Sequence, residues 1–312
     1  MAVREVYSHP IYQRYKASLW TNPTLFVILI FVLTFVGPFL IVFWSEGLWL
    51  KDAFYREQPR VQFKHEMLLL IDTQDSASYL AWSTYQNFNQ LQQQHLRIPL
   101  VKTREEDTNR DGKSDMLHFS ISVPVLATEE VLGMKLILIF DYRLYRFSTL
   151  QMESMAYIEH TSPLHGSEVT MDGELRLRLK MPLSHSAIDA RYNTPVIDSD
   201  SIFAADYQLS KIFSNYISRN VSTYFDCPYP VWQRGQSSSE TFLIKGTVRY
   251  PEELIGFIPG FLQVLKFAWI QYLAVLLIFL YLGSKIKTFF FQNQVMRTIV
   301  ERPYMQNKNH LM

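Results

Sequence analysis

The sequence contains one cysteine, Cys227, among 312 residues. A single thiol cannot close a disulfide within the chain, so a disulfide-stapled scaffold and a zinc site made of several cysteines are both excluded. The thiol can be buried as a small apolar side chain or can pair with another chain, and the sequence leaves both alternatives open.

Recognisable catalytic and nucleotide-binding motifs are also missing. The chain has no Gly-x-Ser-x-Gly elbow, no phosphate-binding loop and no dinucleotide-binding glycine fingerprint, and its eight histidines show no metal-ligand spacing. The sequence therefore predicts a protein that is not an enzyme and requires no cofactor. A lumenal hydrolase assembled from side chains far apart in the chain is the alternative that only a structure can test.

The charges are nearly balanced overall but unevenly distributed. The chain carries 30 Lys and Arg against 29 Asp and Glu, a net charge of +1. Residues 45–265 hold 21 basic and 27 acidic side chains, residues 1–22 hold 3 and 1, and residues 266–312 hold 6 and 1. No basic stripe runs through the long middle segment, so the composition argues against nucleic-acid binding.

The first of two long uncharged runs covers residues 24–44. Its 21 residues suffice for a helix across the ~30 Å hydrocarbon core of a bilayer. Pro23 suits the first helical turn, and Trp20 and Trp44 are placed as interfacial anchors. The run is too long for a signal-peptide core and no small-residue cleavage site follows it. We therefore predict a retained transmembrane helix at residues 23–44.

The second uncharged run predicts a transmembrane helix at residues 264–284. Its flanks carry side chains that suit the headgroup layer, namely Lys266, Trp269, Lys285 and Lys287. These lysines and aromatic residues disfavour the alternative, which is a buried helix of a soluble domain.

Positive charge at both ends of the chain predicts its orientation. Segments next to membrane helices on the cytoplasmic side are enriched in Lys and Arg, so residues 1–22 and 285–312 are expected to be cytoplasmic. Residues 45–263 then form an extracytoplasmic domain. Asn220, in the triplet Asn-Val-Ser, is a glycosylation acceptor on the side that this topology requires.

The periodicity of the middle segment is typical of β-strands. In residues 117–123 every second side chain is apolar, which indicates a half-buried strand. Residues 169–179 predict a hairpin with Asp172 and Gly173 as its turn. Further strands are predicted at residues 61–71, 79–83, 98–102, 134–142, 155–159, 231–234 and 241–250, and a helix at 85–94. About ten strands with few helices predict a mainly-β, antiparallel sandwich-like domain between the two transmembrane helices.

The densest polar motif lies at residues 107–115. Its spacing matches a calcium loop, in which Gly112 would supply the sharp turn. The candidate calcium ligands are side-chain oxygens of Asp107, Asn109, Asp111 and Asp115 and the backbone carbonyl of Lys113. His118 stands where an EF-hand has glutamate, so the spacing is closer to the calcium loops of integrin-type propeller hairpins. The alternative is a charged hairpin turn closed by Asx hydrogen bonds.

A series of short segments, in order along the chain, carries a family resemblance. The longest reads TREED at residues 103–107 and continues as DGKSDMLHF at 111–119. The others lie at residues 58–65, 81–84, 131–133, 189–193, 266–269 and 291–295. With these segments the chain resembles the transmembrane protein 231 family of the ciliary transition zone.

The resemblance implies a non-enzymatic subunit of the Meckel syndrome, or tectonic-like, complex. Such a subunit is implied to restrict membrane-protein diffusion between the plasma and ciliary membranes, in support of ciliogenesis and Hedgehog signalling. The expected partners are B9-domain proteins, tectonics and other transition-zone membrane proteins, besides the lipid bilayer. The competing class, which depends on residues 107–115, is a calcium-dependent cell-surface receptor or adhesion protein.

Overall fold

The computed structural model describes residues 13–45, 47–48, 50–74, 79–126, 128–185, 188–235 and 241–301. The chain forms two compact units. One, the terminal unit, combines Met1–Leu50 with Phe261–Met312, and the other, the β-rich domain, is Lys51–Gly260. Residues 1–12 and 302–312, to which the sequence analysis assigned part of the cytoplasmic segments, lie outside the described residues.

The described elements follow one another in a simple order along the chain. They are β1 (Arg14–Lys16), α1 (Asn22–Trp44), β2 (Ala53–Glu57), β3 (Arg60–Thr73), β4 (Tyr79–Ser83), α2 (Gln86–Leu91), β5 (Leu100–Glu106), β6 (Met116–Pro124), β7 (Val131–Leu144), β8 (Thr149–Thr161), β9 (Gly166–Leu179), β10 (Ile188–Asp189), a 3-10 turn (Ala204–Tyr207), α3 (Leu209–Ile217), β11 (Val221–Asp226), β12 (Val231–Arg234), β13 (Thr241–Arg249), β14 (Glu253–Phe257), α4 (Phe261–Gln292) and β15 (Ile299–Glu301).

The terminal unit contains two helices that are long and apolar enough to cross a membrane, α1 with 23 residues and α4 with 32. The first lies where the sequence predicts it. The second extends beyond the predicted residues 264–284, because Lys285 and Lys287 end the apolar run but are good helix formers and do not end the helix. Two apolar helices flanking a mainly-β domain confirm the predicted membrane-protein fold class.

A short antiparallel ribbon joins the two ends of the terminal unit. Strand β1, which precedes α1, pairs with β15, which follows α4, and Tyr15 lies opposite Val300. This ribbon is not predictable from the sequence, because strands of three residues are too short to show an alternation.

The β-rich domain is built from two large sheets and one small one. A five-stranded sheet has the order β10-β8-β7-β3-β4, and a six-stranded sheet contains β11-β9-β13-β6-β5 with β12 also paired to β9. Strands β2 and β14 form a separate two-stranded ribbon. Side chains of both large sheets share one apolar core, which includes Phe63 and Leu138 from the first sheet and Phe119 and Ile244 from the second. The sandwich-like arrangement therefore follows from two half-buried sheets that bury their apolar faces together.

The other face of the five-stranded sheet is covered by helices. Ile137 and Ile139 of β7 pack there with Phe88 of α2 and with Ile212 and Tyr216 of α3. The predicted helix at residues 85–94 is present as the shorter α2. Helix α3 is not among the elements predicted from the sequence.

Two expectations about the sheets were wrong in detail. The sandwich is not wholly antiparallel, because β13 runs parallel to β9 and β10 parallel to β8. The predicted hairpin at Asp172 and Gly173 is one continuous strand, β9. Gly173 serves close packing rather than a turn, since a Cβ at this position would lie 2.4 Å from the Asp226 carbonyl oxygen and 2.5 Å from the Phe225 ring.

Candidate functional site

The packing face of α1 is one narrow stripe of the helix. Ile30, Thr34, Pro38 and Val42 recur every fourth residue and are buried, whereas most other side chains of the helix are exposed. Residues four apart lie on the same side of a helix, so this stripe is the surface that α1 turns toward α4. The exposed remainder is the surface available to lipid.

Glycines let the two helices approach closely. At Gly283 of α4, an added Cβ would lie 2.8 Å from the Thr34 Oγ1 atom, and at Gly37 of α1 it would lie 2.8 Å from the Phe279 ring. Small residues at such crossings permit dense van der Waals packing in lipid, where no hydrophobic force drives helices together. The Tyr272 hydroxyl also donates a 3.3 Å hydrogen bond to the Phe35 carbonyl oxygen. Close packing and the Tyr272 hydrogen bond thus hold the helix pair together.

The proposed membrane anchors are spread along the two helices and the segments beside them, and they form no common site. Trp20 and Trp44 are each 90% exposed at opposite ends of α1, and Trp269 is exposed on α4. Lys266 and Lys285 are 19 residues apart on α4, about 29 Å at 1.5 Å per residue, which matches the ~30 Å hydrocarbon core. Lys287 is exposed two residues farther on. Their role as anchors stays a prediction that this spacing favours.

The ribbon adds side-chain contacts to its backbone pairing. The Lys16 ammonium donates to Glu301 Oε1 at 2.8 Å, and the Tyr15 ring lies 5.7 Å from the Phe291 ring near the end of α4. Nearby, the Phe26 and Phe290 rings of the two helices are 4.6 Å apart. These contacts bring the segment before α1 and the segment after α4 to the same end of the helix pair.

The predicted calcium loop is closed by hydrogen bonds from its own backbone. Asp107 accepts the N–H groups of Arg110 at 2.6 Å and Gly112 at 3.0 Å. Asn109 accepts the N–H of Asp111 at 2.8 Å, and Asp111 accepts that of Lys113 at 2.9 Å. This is the pattern of successive Asx turns.

Asp115 ties the loop to the rest of the domain. Its carboxylate accepts the Thr108 N–H at 2.8 Å, the Asn109 N–H at 3.3 Å and the Gln58 side-chain amide at 2.7 Å. Burial opposes ionisation of this carboxyl, but the three hydrogen bonds outweigh it and lower the pKa of Asp115. The Lys113 ammonium donates to the Gln58 carbonyl at 3.2 Å. The observed geometry therefore favours the hydrogen-bonded turn, and calcium binding stays a prediction.

Titratable groups elsewhere in the described ranges form structural networks. The Glu153 carboxylate, which is nearly buried, accepts the Lys64 ammonium at 2.6 Å and the Val196 N–H at 2.6 Å. Among the described residues, no group of three or more His, Cys, Asp or Glu side chains is placed to hold a metal ion. Cys227 is half-buried beside the core, and burial raises the pKa of its thiol.

Asn220, the predicted glycosylation acceptor, lies directly before β11. It is partly exposed, while the next two residues, Val221 and Ser222, are buried. The geometry places the asparagine at the rim of the domain.

The family model described as Transmembrane protein 231 matches residues 1–300 of the chain. The chain belongs to the transmembrane protein 231 family. It is 48% identical over 300 residues to the curated Transmembrane protein 231 of Homo sapiens, covering 96% of this chain and 95% of that one. The protein of that name from Xenopus tropicalis is 46% identical over 299 residues, covering 96% of each chain. That from Gallus gallus is 47% identical over 307 residues, covering 98% of this chain and 96% of that one.

One solved structure, a cryo-EM structure of a proton-activated chloride channel, is similar over 88% of this chain and 100% of that one. The identity is 7% and the TM-score 0.24, so this likeness carries no weight for fold or function. The family itself is named for a transmembrane protein and not for an enzymatic activity.

Proposed function

We propose that this chain is a non-enzymatic membrane scaffold subunit of the complex at the ciliary transition zone. It contributes to the diffusion barrier between the plasma and ciliary membranes, and through it to ciliogenesis and Hedgehog signalling. The observation that carries the proposal is membership of the transmembrane protein 231 family across residues 1–300. The role itself comes from what the family resemblance implies.

The proposed topology puts both chain ends in the cytoplasm and the β-rich domain outside it. The pairing of β1 with β15 supports one common side for the two ends. The charges near them support the cytoplasmic side, because the described residues there include five basic side chains and one acidic side chain, Glu301. The basic residues are Arg14, Lys16, Lys285, Lys287 and Arg297. Asn220 is then exposed to the glycosylation machinery, and the protein is a glycoprotein.

A barrier subunit must bind neighbours on both sides of the membrane. In this proposal the cytoplasmic ends meet B9-domain proteins, and the β-rich domain meets tectonics and other transition-zone membrane proteins. The β-rich domain offers a folded surface for such binding, since its two large sheets pack together and helices cover the outer face of the five-stranded sheet. The hydrogen-bonded state of the loop at residues 107–115 gives the calcium-dependent receptor no comparable support.

The experiment is purification of the tagged full chain from ciliated cells. We expect the chain at the ciliary base, with tectonics and B9-domain proteins in the purified material. A matched control keeps both helices and tails but replaces residues 51–260 with an unrelated folded domain; it should still insert into membranes but lose the tectonics. Even distribution over the plasma membrane, with neither partner class recovered, would contradict the proposal.

The topology has its own test. We expect a deglycosylase-sensitive mass shift in the full chain that is absent in Asn220→Gln. A shift that persists in Asn220→Gln would assign the glycan to another residue, and a chain without any shift would contradict the glycoprotein assignment.

A further inference from the structure

An exposed apolar groove lies on the β-rich domain beside the ribbon of β2 and β14. We call it the β2–β14 groove; its volume is about 340 Å³ and its apolar lining consists of Phe54, Leu177, Leu179, Met181, Pro182 and Leu254. Three of these side chains are largely open to solvent, since Phe54 is 67%, Leu254 61% and Met181 59% exposed. Apolar side chains clustered in this way on a surface mark a site that another apolar surface covers.

The groove is part of the rigid framework of the domain. The Leu183 N–H donates to the Gly256 carbonyl at 2.9 Å, and the Ile258 N–H donates to the Leu183 carbonyl at 2.8 Å. The Phe54 ring and Pro182 lie over Gly256, where a Cβ would be 3.3 Å from the ring. The backbone beneath the groove is thus fixed by hydrogen bonds, and the apolar side chains of the groove lie on it.

One basic residue lines the groove and two more are near it in the sequence. Lys180, which lines the groove between Leu179 and Met181, is exposed, and its ammonium donates to the Ile217 carbonyl. Lys51 and Arg56 are exposed within three residues of Phe54 in the sequence. Asp52 is the acidic residue that lines the groove. An apolar strip with cations at its border matches the chemistry of the bilayer surface, where acyl chains lie below phosphate groups.

The chain itself limits how far this ribbon can be from a bilayer. Strand β14 ends at Phe257 and α4 begins at Phe261, so four residue steps, about 14 Å when fully extended, separate the ribbon from a membrane-spanning helix. The intervening Ile258 is itself half exposed. The connection has no charged residue, because it reads Ile-Pro-Gly.

We propose that the β2–β14 groove is a lipid-binding surface, which seats the β-rich domain on the leaflet that its own helices enter. Phe54, Leu254 and Met181 insert among the upper parts of the acyl chains, and Lys51 and Arg56 meet the phosphates. The inference needs only that α4 crosses a bilayer. It can therefore fail while the role at the transition zone stands, and the reverse also holds.

The test uses the full chain, reconstituted in phospholipid bilayers with a single fluorescent label on a cysteine. Leu254→Cys, in a Cys227→Ser background, reports on the groove. Val231→Cys is the matched control, because Val231 is also apolar and is 53% exposed. It lies away from the groove, since its partner Thr170 is about 23 Å along β9 from Leu177, which lines the groove. A spin-labelled lipid, with the spin label near the top of its acyl chain, serves as the quencher.

We expect the lipid quencher to act several-fold more strongly on the label at residue 254 than on the label at 231. The double substitution Phe54→Ser and Met181→Ser should reduce quenching at residue 254 to the level at 231. Both positions are exposed, so the melting temperature of this variant should stay near that of the parent chain.

Two results would overturn the proposal. Equal quenching at residues 254 and 231 would show that the groove does not reach lipid. A label at residue 254 that is shielded from both the lipid quencher and aqueous iodide would show that protein, either a second copy or a partner, covers the groove instead.

Discussion

Lys16 and Glu301 are 285 residues apart in the sequence, and the ammonium of the first donates to a carboxylate oxygen of the second at 2.8 Å. Both side chains are more than half exposed, so solvent screens the ion pair and it adds little to stability. Its significance is positional. It joins the segment before the first membrane helix to the segment after the second, so residues 14–16 and 299–301 lie together at one end of the helix pair.

The ribbon predicts a specific cross-link. Tyr15 and Val300 are directly opposite in the β1–β15 pairing, and Cα atoms of such pairs lie about 4.5–5.5 Å apart, within the range of a disulfide. Tyr15→Cys with Val300→Cys, in a Cys227→Ser background, should therefore form an intrachain disulfide on mild oxidation of purified membranes, seen as a mobility shift on a gel. The out-of-register pair Tyr15→Cys with Thr298→Cys should form much less. Equal yields from both pairs would argue against the ribbon.

The helix pair predicts a large effect of added bulk at Gly283. A leucine there must displace the Thr34 side chain, and overpacking of this kind costs about 1–3 kcal/mol. Gly283→Leu should lower the melting temperature of the full chain in detergent. Ala274→Leu adds a similar side chain to an exposed position of the same helix and should leave it nearly unchanged. A similar melting temperature for both variants would contradict the observed packing face.

Glu253 predicts a pH-dependent stability. Burial raises the pKa of this carboxyl above its usual 4.5, although the Leu177 N–H and the Arg176 guanidinium partly offset the effect. Because the folded-state pKa lies above the unfolded value, the contribution of Glu253 to stability is fully present below pH 4.5 and is lost as the pH rises through the raised pKa.

Glu253→Gln keeps an acceptor for the Leu177 N–H and removes the charge. We expect it to stabilise the chain at neutral pH, with the gain disappearing in acid. Thermal melts across pH give the comparison, and Glu174→Gln, on a more exposed carboxylate near the same arginine, is the control. A gain that is independent of pH would mean that burial of the Glu253 charge is not its source.

The hydrogen bonds of the loop at residues 107–115 predict which substitution in it destabilises the chain more when calcium is absent. Asp115→Ala removes three hydrogen bonds, one of them to Gln58 outside the loop, whereas Asp111→Ala removes the bond to Lys113 N–H. At about 1 kcal/mol per hydrogen bond, Asp115→Ala should destabilise the chain more in a melt with chelator. The reverse order would contradict the observed hydrogen bonds.

The calcium hypothesis is tested by the same melts. If the loop binds calcium, millimolar calcium raises the melting temperature of the parent chain and Asp111→Ala abolishes the rise. An unchanged melt leaves the loop as a structural turn.

The sequence was informative where one local pattern determines the structure. The two membrane helices follow from long uncharged runs, and β6 follows from the strict alternation between Leu117 and Val123, whose apolar members are all buried. Strands β3 and β13 also lie close to their predicted bounds.

The sequence misled where a residue serves a distant neighbour. Asp172 followed by Gly173 is a typical turn sequence. In the structure, however, the missing side chain of Gly173 makes room for Phe225 and Asp226 of β11. The ribbon depends on two three-residue strands at opposite ends of the chain, and the β2–β14 groove depends on which apolar side chains tertiary packing leaves uncovered. None of these features can be read from spacing alone.

The central claim is that this two-span chain acts as a transition-zone scaffold with one face in the cytoplasm and one outside. The most direct measurement is proximity labelling in ciliated cells, with the labelling enzyme placed either at the C-terminus or in the loop between β6 and β7. The account predicts labelling confined to the ciliary base, with B9-domain proteins recovered from the first position and tectonics from the second. The same labelled proteins from both positions, or labelling spread over the whole plasma membrane, would contradict it.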